Sequence, residues 1–230
     1  MRRTLAILAA FALLATTLAV AQAPMSGPPK VLQIVREEVK VGKGPGHEKN
    51  EAAWLQAMIA AKYTTHVLTV TAVTGPTEEW FISGFDSFAA WEKDSKLFDA
   101  QPLKGVMDNY GAKDAEFISE SRLITARYRP DLSYHPDVNI GEYKYFAVGI
   151  LRLKIGHDPD DAFKAVIGAH TKANDDVHFA TYMVNSGMPY GVYLIFSPLK
   201  SLAEWDQPPN PAYMAALKDA GFAQLVKVFG

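Results

Sequence analysis

An internal repeat is the feature that most constrains the fold of this chain. The stretch Trp80 to Asp94 reads as a hydrophobic strand, a glycine break and an aromatic-faced helix, and Leu194 to Pro208 repeats that plan. Five identities fall at a constant offset of 114 residues: Lys40/Lys154, Gly42/Gly156, Ser87/Ser201, Ala89/Ala203 and Trp91/Trp205. Since Trp91 recurs at the same step, we interpret both tryptophans as helix anchors that pack on a sheet. The sequence therefore predicts two copies of one unit.

The first copy has the pattern of a βαββαβ unit. Runs rich in β-branched and aromatic residues predict four strands, Val31–Val41, Thr65–Thr74, Trp80–Ser83 and Glu116–Arg129. Apolar residues at i, i+4 and i+7 predict a helix over Glu48–Lys62, and the aromatic-faced stretch after Gly84 predicts a second. Gln101 to Asp114 has a looser pattern and connects this helix to the fourth strand.

The second copy restarts after a linker at residues 130–142, which contains prolines and has no periodicity. Its predicted strands are Phe146–Ile155, Val177–Asn185, Tyr190–Ser197 and Phe222–Phe229. A helix capped by Asp158 or Asp160 runs to about Asn174, and a proline-broken helical region covers Leu199 to Ala220.

Several strands are apolar on both sides, so both faces of the sheets need cover. Phe146, Val148 and Ile150 alternate with Ala147, Gly149 and Leu151. A four-stranded sheet with two helices covers only one of its faces, and the open faces of two such units can cover each other. We therefore predict an α+β fold in which two ferredoxin-like βαββαβ repeats, residues 31–129 and 143–230, pack their antiparallel sheets into an intramolecular pseudo-dimeric α/β barrel.

The N-terminus has the composition of a secretory signal peptide. A short basic start precedes an uncharged Ala/Leu-rich run from Leu5 to Val20. Small residues allow cleavage after Ala21 or after Ala23, and we favour Ala21 because the other site leaves Pro24 at the N-terminus. Residues 22–30 then form a flexible lead. An uncleaved anchor is the alternative, although the run is shorter than the ~20 residues that span a bilayer. We expect export to the periplasm or the extracellular space, with no stable membrane anchor after cleavage.

Composition excludes several classes of site and partner. The chain has no cysteine, so disulfides, thiolate metal sites and cysteine nucleophiles are excluded. Without the two signal-peptide arginines, 21 basic residues remain against 25 acidic ones. This balance argues against nucleic acid as a partner. No serine lies in a nucleophile elbow, so hydrolase chemistry has no support.

Two kinds of short motif resemble a known superfamily. Val39-Lys40-Val41-Gly42 and Leu153-Lys154-Ile155-Gly156 each end a strand before a helix, and Phe85-Asp86-Ser87-Phe88 forms a strand-to-helix step. Together these resemble the dimeric α/β-barrel superfamily, which includes antibiotic-biosynthesis monooxygenases, haem-degrading monooxygenases and NIPSNAP-like proteins. Such families often carry a histidine near the helix end that here reads Trp91-Glu92-Lys93, and this sequence lacks it. The resemblance therefore transfers no catalytic residue.

The space between the two sheets is the predicted place for a ligand pocket. Alternation on the first strands directs Arg36, Glu38 and Arg152 into that space, with Thr69, Thr71 and Asn185 from the second strands. The alternative is that these charges lie at strand ends, where they pair with each other or meet water. His170 lies on the apolar stripe of its helix and is the seventh candidate for the pocket, although we favour a hydrogen-bonded core histidine over a buried base or axial ligand.

The sequence predicts no metal site and no cofactor. One acidic and histidine-rich set flanks the predicted helix of the second copy, but a helix of this length separates its ends by ~20 Å. Its members are His157, Asp158, Asp160, Asp161, Asp175, Asp176 and His178. His47-Glu48 lacks the second histidine of a zinc peptidase helix. We predict an exported small-ligand-binding or structural barrel, with a cofactor-independent monooxygenase or a haem-binding or haem-degrading enzyme as the alternative.

Overall fold

The computed structural model describes residues 27–230. The predicted signal peptide, residues 1–21, and most of the flexible lead therefore lie outside the described residues. The strands are β1 (Val31–Val39), β2 (Val67–Thr71), β3 (Glu78–Phe85), β4 (Ile118–Tyr128), β5 (Tyr145–Arg152), β6 (Ala180–Ser186) and β7 (Val192–Leu199). The α-helices are α1 (Gly44–Ala60), α2 (Phe88–Phe98), α3 (Leu103–Asp114), α4 (Asp160–Ala173), α5 (Pro211–Asp219) and α6 (Phe222–Leu225). No helix among these residues is long and apolar enough to cross a membrane.

All seven strands form one curled antiparallel sheet in the order β2-β3-β1-β4-β6-β7-β5. The predicted α+β class is confirmed. The prediction of two separate sheets is corrected, because β4 pairs directly with β6 and joins the two halves edge to edge. A bulge interrupts this pairing between Thr125 and Ala126. Within the sheet, β3 lies between β2 and β1, as β7 lies between β6 and β5.

The core lies inside the curl of the sheet and draws on both halves. Ile34, Ile124 and Leu194 come from three strands and have no exposed surface. Trp80 meets Phe196 across the interior with ring centroids 6.5 Å apart. Leu32 and Ile34 belong to this core and lie on the face of β1 that was predicted, through Arg36 and Glu38, to face the interior. Burial of this apolar surface is the main force that holds the two halves together.

The helices pack on the outer side of the sheet, and their ends follow local capping rules. Ser87 caps α2 by accepting a hydrogen bond from the Ala90 amide. Asp158, one of the two predicted caps of α4, accepts a hydrogen bond from the Asp160 amide. The looser stretch before β4 contains α3, a helix that the sequence pattern missed because Gly105 and Gly111 dilute its apolar face.

Two expectations for the second half are wrong. Phe222 to Phe229 forms α6 and a short 3-10 turn, and only Phe229 bridges to Leu153 of the sheet. Phe222, Leu225, Val226 and Phe229 stand at i, i+3, i+4 and i+7, the spacing of one helix face, and Phe222 packs against α4 and α5. Trp205 does not anchor a helix on the sheet, because it is 62% exposed in a 3-10 turn.

The predicted linker at residues 130–142 is packed against the second half. Leu132 is 1% exposed and Tyr134 is 7% exposed. Tyr134 forms an isolated bridge with Phe179, and Thr181 donates its hydroxyl to the Leu132 carbonyl at 2.6 Å. The segment is thus a structural part of the junction between the halves.

Gly187, at the end of β6, tests the junction between the halves. Its φ is +85°, and a Cβ there would lie 2.1 Å from the Leu123 carbonyl oxygen on β4. Gly75 has a φ of +89°, and a Cβ at that position would meet nothing within 4 Å. We expect Gly75→Ala to cost about 1 kcal/mol of unfolding free energy from backbone strain, and Gly187→Ala to cost a further ~1–3 kcal/mol from overpacking. Equal losses in urea unfolding would contradict the close approach of β6 to β4.

Candidate functional site

A charged cleft lies where β3, β1 and β4 leave the apolar core. Five side chains line this mouth cleft, which has about 340 Å³ of space including the part open to solvent: Arg36, Glu38, Glu78, Glu120 and Arg122. The register sets them in two rows across the strands. Trp80, Arg36 and Arg122 form the inner row, and Glu78, Glu38 and Glu120 form the outer row.

Most of the charges in the mouth cleft pair with one another. Arg36 donates two hydrogen bonds to Glu78, at 2.9 Å from Nε and 2.6 Å from Nη2. Its guanidinium carbon lies 5.1 Å from the centre of the Trp80 ring, and Trp80 Nε1 also donates to Glu78 at 3.1 Å. Arg36 therefore holds the pKa of Glu78 below its ordinary value. Arg122 pairs with Glu120 through a single hydrogen bond from Nε.

Glu38 differs from its two neighbours in the outer row. It is exposed, and among residues 27–230 its carboxylate forms no ion pair within 4.0 Å. With Arg36 and Arg122 neutralised by Glu78 and Glu120, the mouth cleft keeps one net negative charge, and it is carried by Glu38.

Of the seven residues predicted to line a pocket, only Arg36 and Glu38 lie together in the mouth cleft. Thr69 and Thr71 lie on the opposite face, because they pair with Phe81 and Glu79 while Val70, between them, pairs with Trp80. The prediction that they line the pocket is therefore wrong. The even-numbered residues of β2 face the interior, whereas the prediction assigned the odd-numbered residues to that face.

The other three predicted residues lie elsewhere. Asn185 is the extra residue of the bulge between β4 and β6, and it is exposed. Arg152 is exposed on β5, the edge strand farthest from β3 in the sheet order. His170 is a hydrogen-bonded core histidine as predicted: Nδ1 lies 3.0 Å from both oxygens of Asp175, and its ring stacks on Tyr213 at 4.1 Å.

A second polar site lies on the opposite, helix-covered face of the same strands. We call it the His47 cluster, and it comprises Glu37 of β1, His47 and Glu51 of α1, Glu79 of β3 and Asp114 of α3. Glu37 and Glu79 are cross-strand neighbours, and His47 and Glu51 are one helical turn apart. His47 has no exposed surface.

Only one of the two ring nitrogens of His47 takes part in a hydrogen bond. His47 Nδ1 lies 2.9 Å from Asp114 Oδ1, which also accepts a hydrogen bond from Asn50 at 3.2 Å. His47 Nε2 faces Glu79 Oε2 at 3.5 Å and Glu37 Oε2 at 3.8 Å, and it has no hydrogen-bond partner. Glu37 Oε2 and Asn50 Oδ1 are likewise buried without a partner.

Burial governs the acid–base properties of the His47 cluster. It raises the pKa of Glu37 and of Glu51 to about 7, and Asp114 adds to both shifts. Burial also raises the pKa of Glu79. Burial lowers the pKa of His47, but its hydrogen bond to Asp114 and the surrounding carboxylates outweigh that effect and raise it overall. The folded protein therefore favours protonated forms of these groups.

The sequence offered one signal for this cluster. His47 and Glu51 stand at i and i+4 on a helix, a spacing that places two ligand side chains on one face. Asp114 is 67 residues from His47 in the chain and lies at the end of the helix that was not predicted. The convergence of these residues is thus a property of the tertiary structure.

No family model matches the chain, and no curated protein matches it. Two solved structures share its fold over nearly the whole chain. A protein from Fusobacterium nucleatum that is proposed to be a monooxygenase has a TM-score of 0.54 at 12% identity, covering 90% of this chain and 89% of its own. An anthrone oxidase-like protein has a TM-score of 0.53 at 13% identity with the same coverage. A NIPSNAP domain protein from Burkholderia xenovorans covers 41% of this chain and 90% of its own, at 12% identity and a TM-score of 0.35.

The chain has the dimeric α/β-barrel fold. This confirms the resemblance read from the sequence, at the level of fold. In this α/β barrel the mouth cleft opens at one end of the interior, and the His47 cluster lies between the sheet and helices α1 and α3.

The raised pKa values of the His47 cluster predict how the stability of the metal-free α/β barrel depends on pH. A carboxyl group whose folded pKa is about 7 stabilises the fold fully below pH ~4.5, and this contribution is lost as pH rises through 7. The unfolding free energy of wild type and of Glu51→Gln should be compared in EDTA at pH 5 and pH 8. We expect the value for wild type to fall between these two pH values by about 1–2 kcal/mol more than the value for Glu51→Gln, after allowance for partial solvent exposure.

Glu48→Gln is the matched control, because Glu48 lies on the same helix and is exposed. Its unfolding free energy should follow that of wild type across the pH range. A constant difference between wild type and Glu51→Gln in urea unfolding would show that Glu51 keeps an ordinary pKa.

Proposed function

We propose that this protein is an exported α/β-barrel protein that binds a small organic cation at the mouth cleft. The observation that carries the proposal is the exposed carboxylate of Glu38, which has no ion-pair partner among residues 27–230 and lies between the paired Glu78 and Glu120. An ammonium group can donate a charge-assisted hydrogen bond to Glu38, the one carboxylate of the cleft that no arginine neutralises.

The interior of the barrel offers less room for a ligand than its mouth. Ile34, Ile124 and Leu194 fill the centre and have no exposed surface. Their contacts with Trp80 and Phe196 make the interior a packed core. A ligand that enters from solvent therefore meets the charged rows of the mouth cleft first.

The geometry of the mouth cleft favours small amines over anions. Both guanidinium groups are engaged by carboxylates, Arg36 in two hydrogen bonds to Glu78. An anion would have to displace one of these carboxylates, whereas an ammonium group needs no rearrangement. Primary amines and diamines are the ligand class that fits.

A second candidate is a cofactor-independent monooxygenase or a haem-binding protein. The observation that favours it is the similarity of fold to the monooxygenase-like and anthrone oxidase-like structures. Two measurements test it: a haem titration followed by the Soret band, and oxygen uptake with polycyclic phenols. A Soret band that shifts and saturates at one haem per chain, or substrate-dependent oxygen uptake, would support this candidate in place of amine binding.

The proposal includes a tandem origin for the barrel and export of the chain. The matching central positions of β3 and β7 and the equivalent capping serines, Ser87 and Ser201, support a duplication. Superposition of residues 31–129 on 143–230 in an experimental structure tests it.

The basic and apolar start of the sequence supports export. Fractionation of cells that produce the full chain tests this, with recovery of an unshortened cytoplasmic protein as the contrary result.

We expect Glu38→Gln to weaken binding of a diamine at least tenfold, because it removes the one unpaired negative charge of the mouth cleft. Isothermal titration calorimetry with 1,4-diaminobutane measures this. Asp86→Asn is the control, since Asp86 is exposed beyond the opposite end of β3. The same affinity for wild type and Glu38→Gln, or no measurable binding to wild type, would contradict the proposal.

A further inference from the structure

The His47 cluster contains more buried acid than the protein neutralises. Four carboxylates, from Glu37, Glu51, Glu79 and Asp114, surround one imidazole. Among residues 27–230, no lysine or arginine forms an ion pair with any of them, and His47 is the basic partner in each ion pair that they form. Buried carboxylates in proteins are paired, protonated or bound to a metal ion.

Two buried atoms of the His47 cluster lack hydrogen-bond partners, and their positions indicate a cation site. Because Asp114 engages His47 Nδ1, the other ring nitrogen, Nε2, faces the carboxylate oxygens of Glu37 and Glu79. His47 is completely buried, and neither its Nε2 nor Glu37 Oε2 has a hydrogen-bond partner. A neutral imidazole of this tautomer would present a lone pair to oxygen lone pairs, which is unfavourable unless a proton or a metal cation lies between them.

The spacing of the ligand atoms fits a single ion. One ligand atom each from Glu37, His47, Glu51 and Asp114 can be chosen so that all lie within 4.8 Å of one another. Ligands on opposite sides of an ion with bonds of about 2.0–2.3 Å are separated by ~4.0–4.6 Å. Ligands of a tetrahedral ion lie closer together, at ~3.3–3.8 Å, so the ligand atoms must approach one another by about 0.2 to 1.5 Å, depending on the coordination geometry.

The surroundings have the arrangement that metal-binding histidines use. A metal-bound imidazole commonly donates its other N–H to a carboxylate, which fixes the ring and its tautomer. Asp114 occupies that position at 2.9 Å from Nδ1, and Asn50 holds Asp114 in place. Ser121 donates a hydrogen bond to the other oxygen of Glu37, Oε1, at 3.3 Å and leaves Oε2 free.

We propose that the His47 cluster binds one divalent first-row transition-metal ion through His47 Nε2 and the carboxylates of Glu37 and Glu51, with Asp114 orienting the imidazole through Nδ1. An imidazole nitrogen with carboxylates, and no thiolate, is the ligand set of Zn²⁺, Mn²⁺ and Fe²⁺, whereas Ca²⁺ and Mg²⁺ prefer all-oxygen sites. Glu51 is half-buried, so an ion can reach the cluster from solvent past this side chain. This site is separate from the mouth cleft and does not depend on the proposed function.

The test is calorimetric titration of the EDTA-treated, purified full chain with Zn²⁺, Mn²⁺, Ca²⁺ and Mg²⁺ in turn. We expect one Zn²⁺ or Mn²⁺ per chain, with Zn²⁺ bound more tightly than Mn²⁺ and both at least tenfold more tightly than Ca²⁺ or Mg²⁺. Glu51→Gln should weaken Zn²⁺ binding at least tenfold, since it replaces a charged ligand by a neutral one.

Two control variants separate this site from adventitious binding. Glu48→Gln changes an exposed acid on the same helix and should leave the affinity unchanged. His178→Gln removes the imidazole that lies 3.2 Å from Asp176, which is another histidine–carboxylate pair that could take zinc. It should also leave the affinity unchanged. Circular dichroism and the urea midpoint check that each variant is folded.

A spectroscopic measurement identifies the nitrogen ligand without relying on a variant. Pulsed electron paramagnetic resonance of the Mn²⁺-loaded wild type should detect one imidazole nitrogen, and His47→Gln should abolish that signal if the variant folds. No saturable binding, binding unaffected by Glu51→Gln, Ca²⁺ bound as tightly as Zn²⁺, or a Mn²⁺ spectrum without a coupled nitrogen would each overturn the proposal.

Discussion

The pairing of β4 with β6 is the interaction on which the rest of the structure depends. It turns two half-sheets into one seven-stranded sheet that curls around a common core. Without it, the inner faces of both halves would expose Ile34, Ile124 and Leu194 to water, at an unfavourable free energy of about 1.5–3 kcal/mol for each side chain. The pairing covers only four register positions and contains a bulge, so the apolar core and the packed linker support it.

The same sheet creates two distinct polar sites from neighbouring residues. Successive side chains on a strand point to opposite faces. On β1 this sends Arg36 and Glu38 to the mouth cleft, and it sends Glu37 to the His47 cluster. On β3, Glu78 and Glu79 divide in the same way. A run of three charged residues in β1 that looks like a solvated strand end therefore serves one solvent-exposed cleft and one buried cluster.

The two sites differ in how their charges are balanced. In the mouth cleft, both arginines have acidic partners, so only the charge of the exposed Glu38 is unbalanced, and water screens it. In the His47 cluster the carboxylates share a single imidazole under helices α1 and α3, and their pKa values rise accordingly. Such a cluster destabilises the metal-free fold at neutral pH, and selection for stability alone would favour an apolar replacement. This imbalance of charge is the physical basis of the proposed metal site.

The local pattern of the sequence determined the α+β class, the approximate position of most strands, the core face of β1 and the capping of α2 by Ser87, since each depends on residues close together in the chain. It also placed His170 in a hydrogen-bonded core position. Only the tertiary structure decided that the two halves share one sheet, that Asn185 lies in a bulge, and that Glu37, His47 and Asp114 converge. These features depend on strand register and on contacts between residues more than 60 positions apart, as for His47 and Asp114. Periodicity shows which face a side chain takes, but only packing determines which distant side chain it meets there.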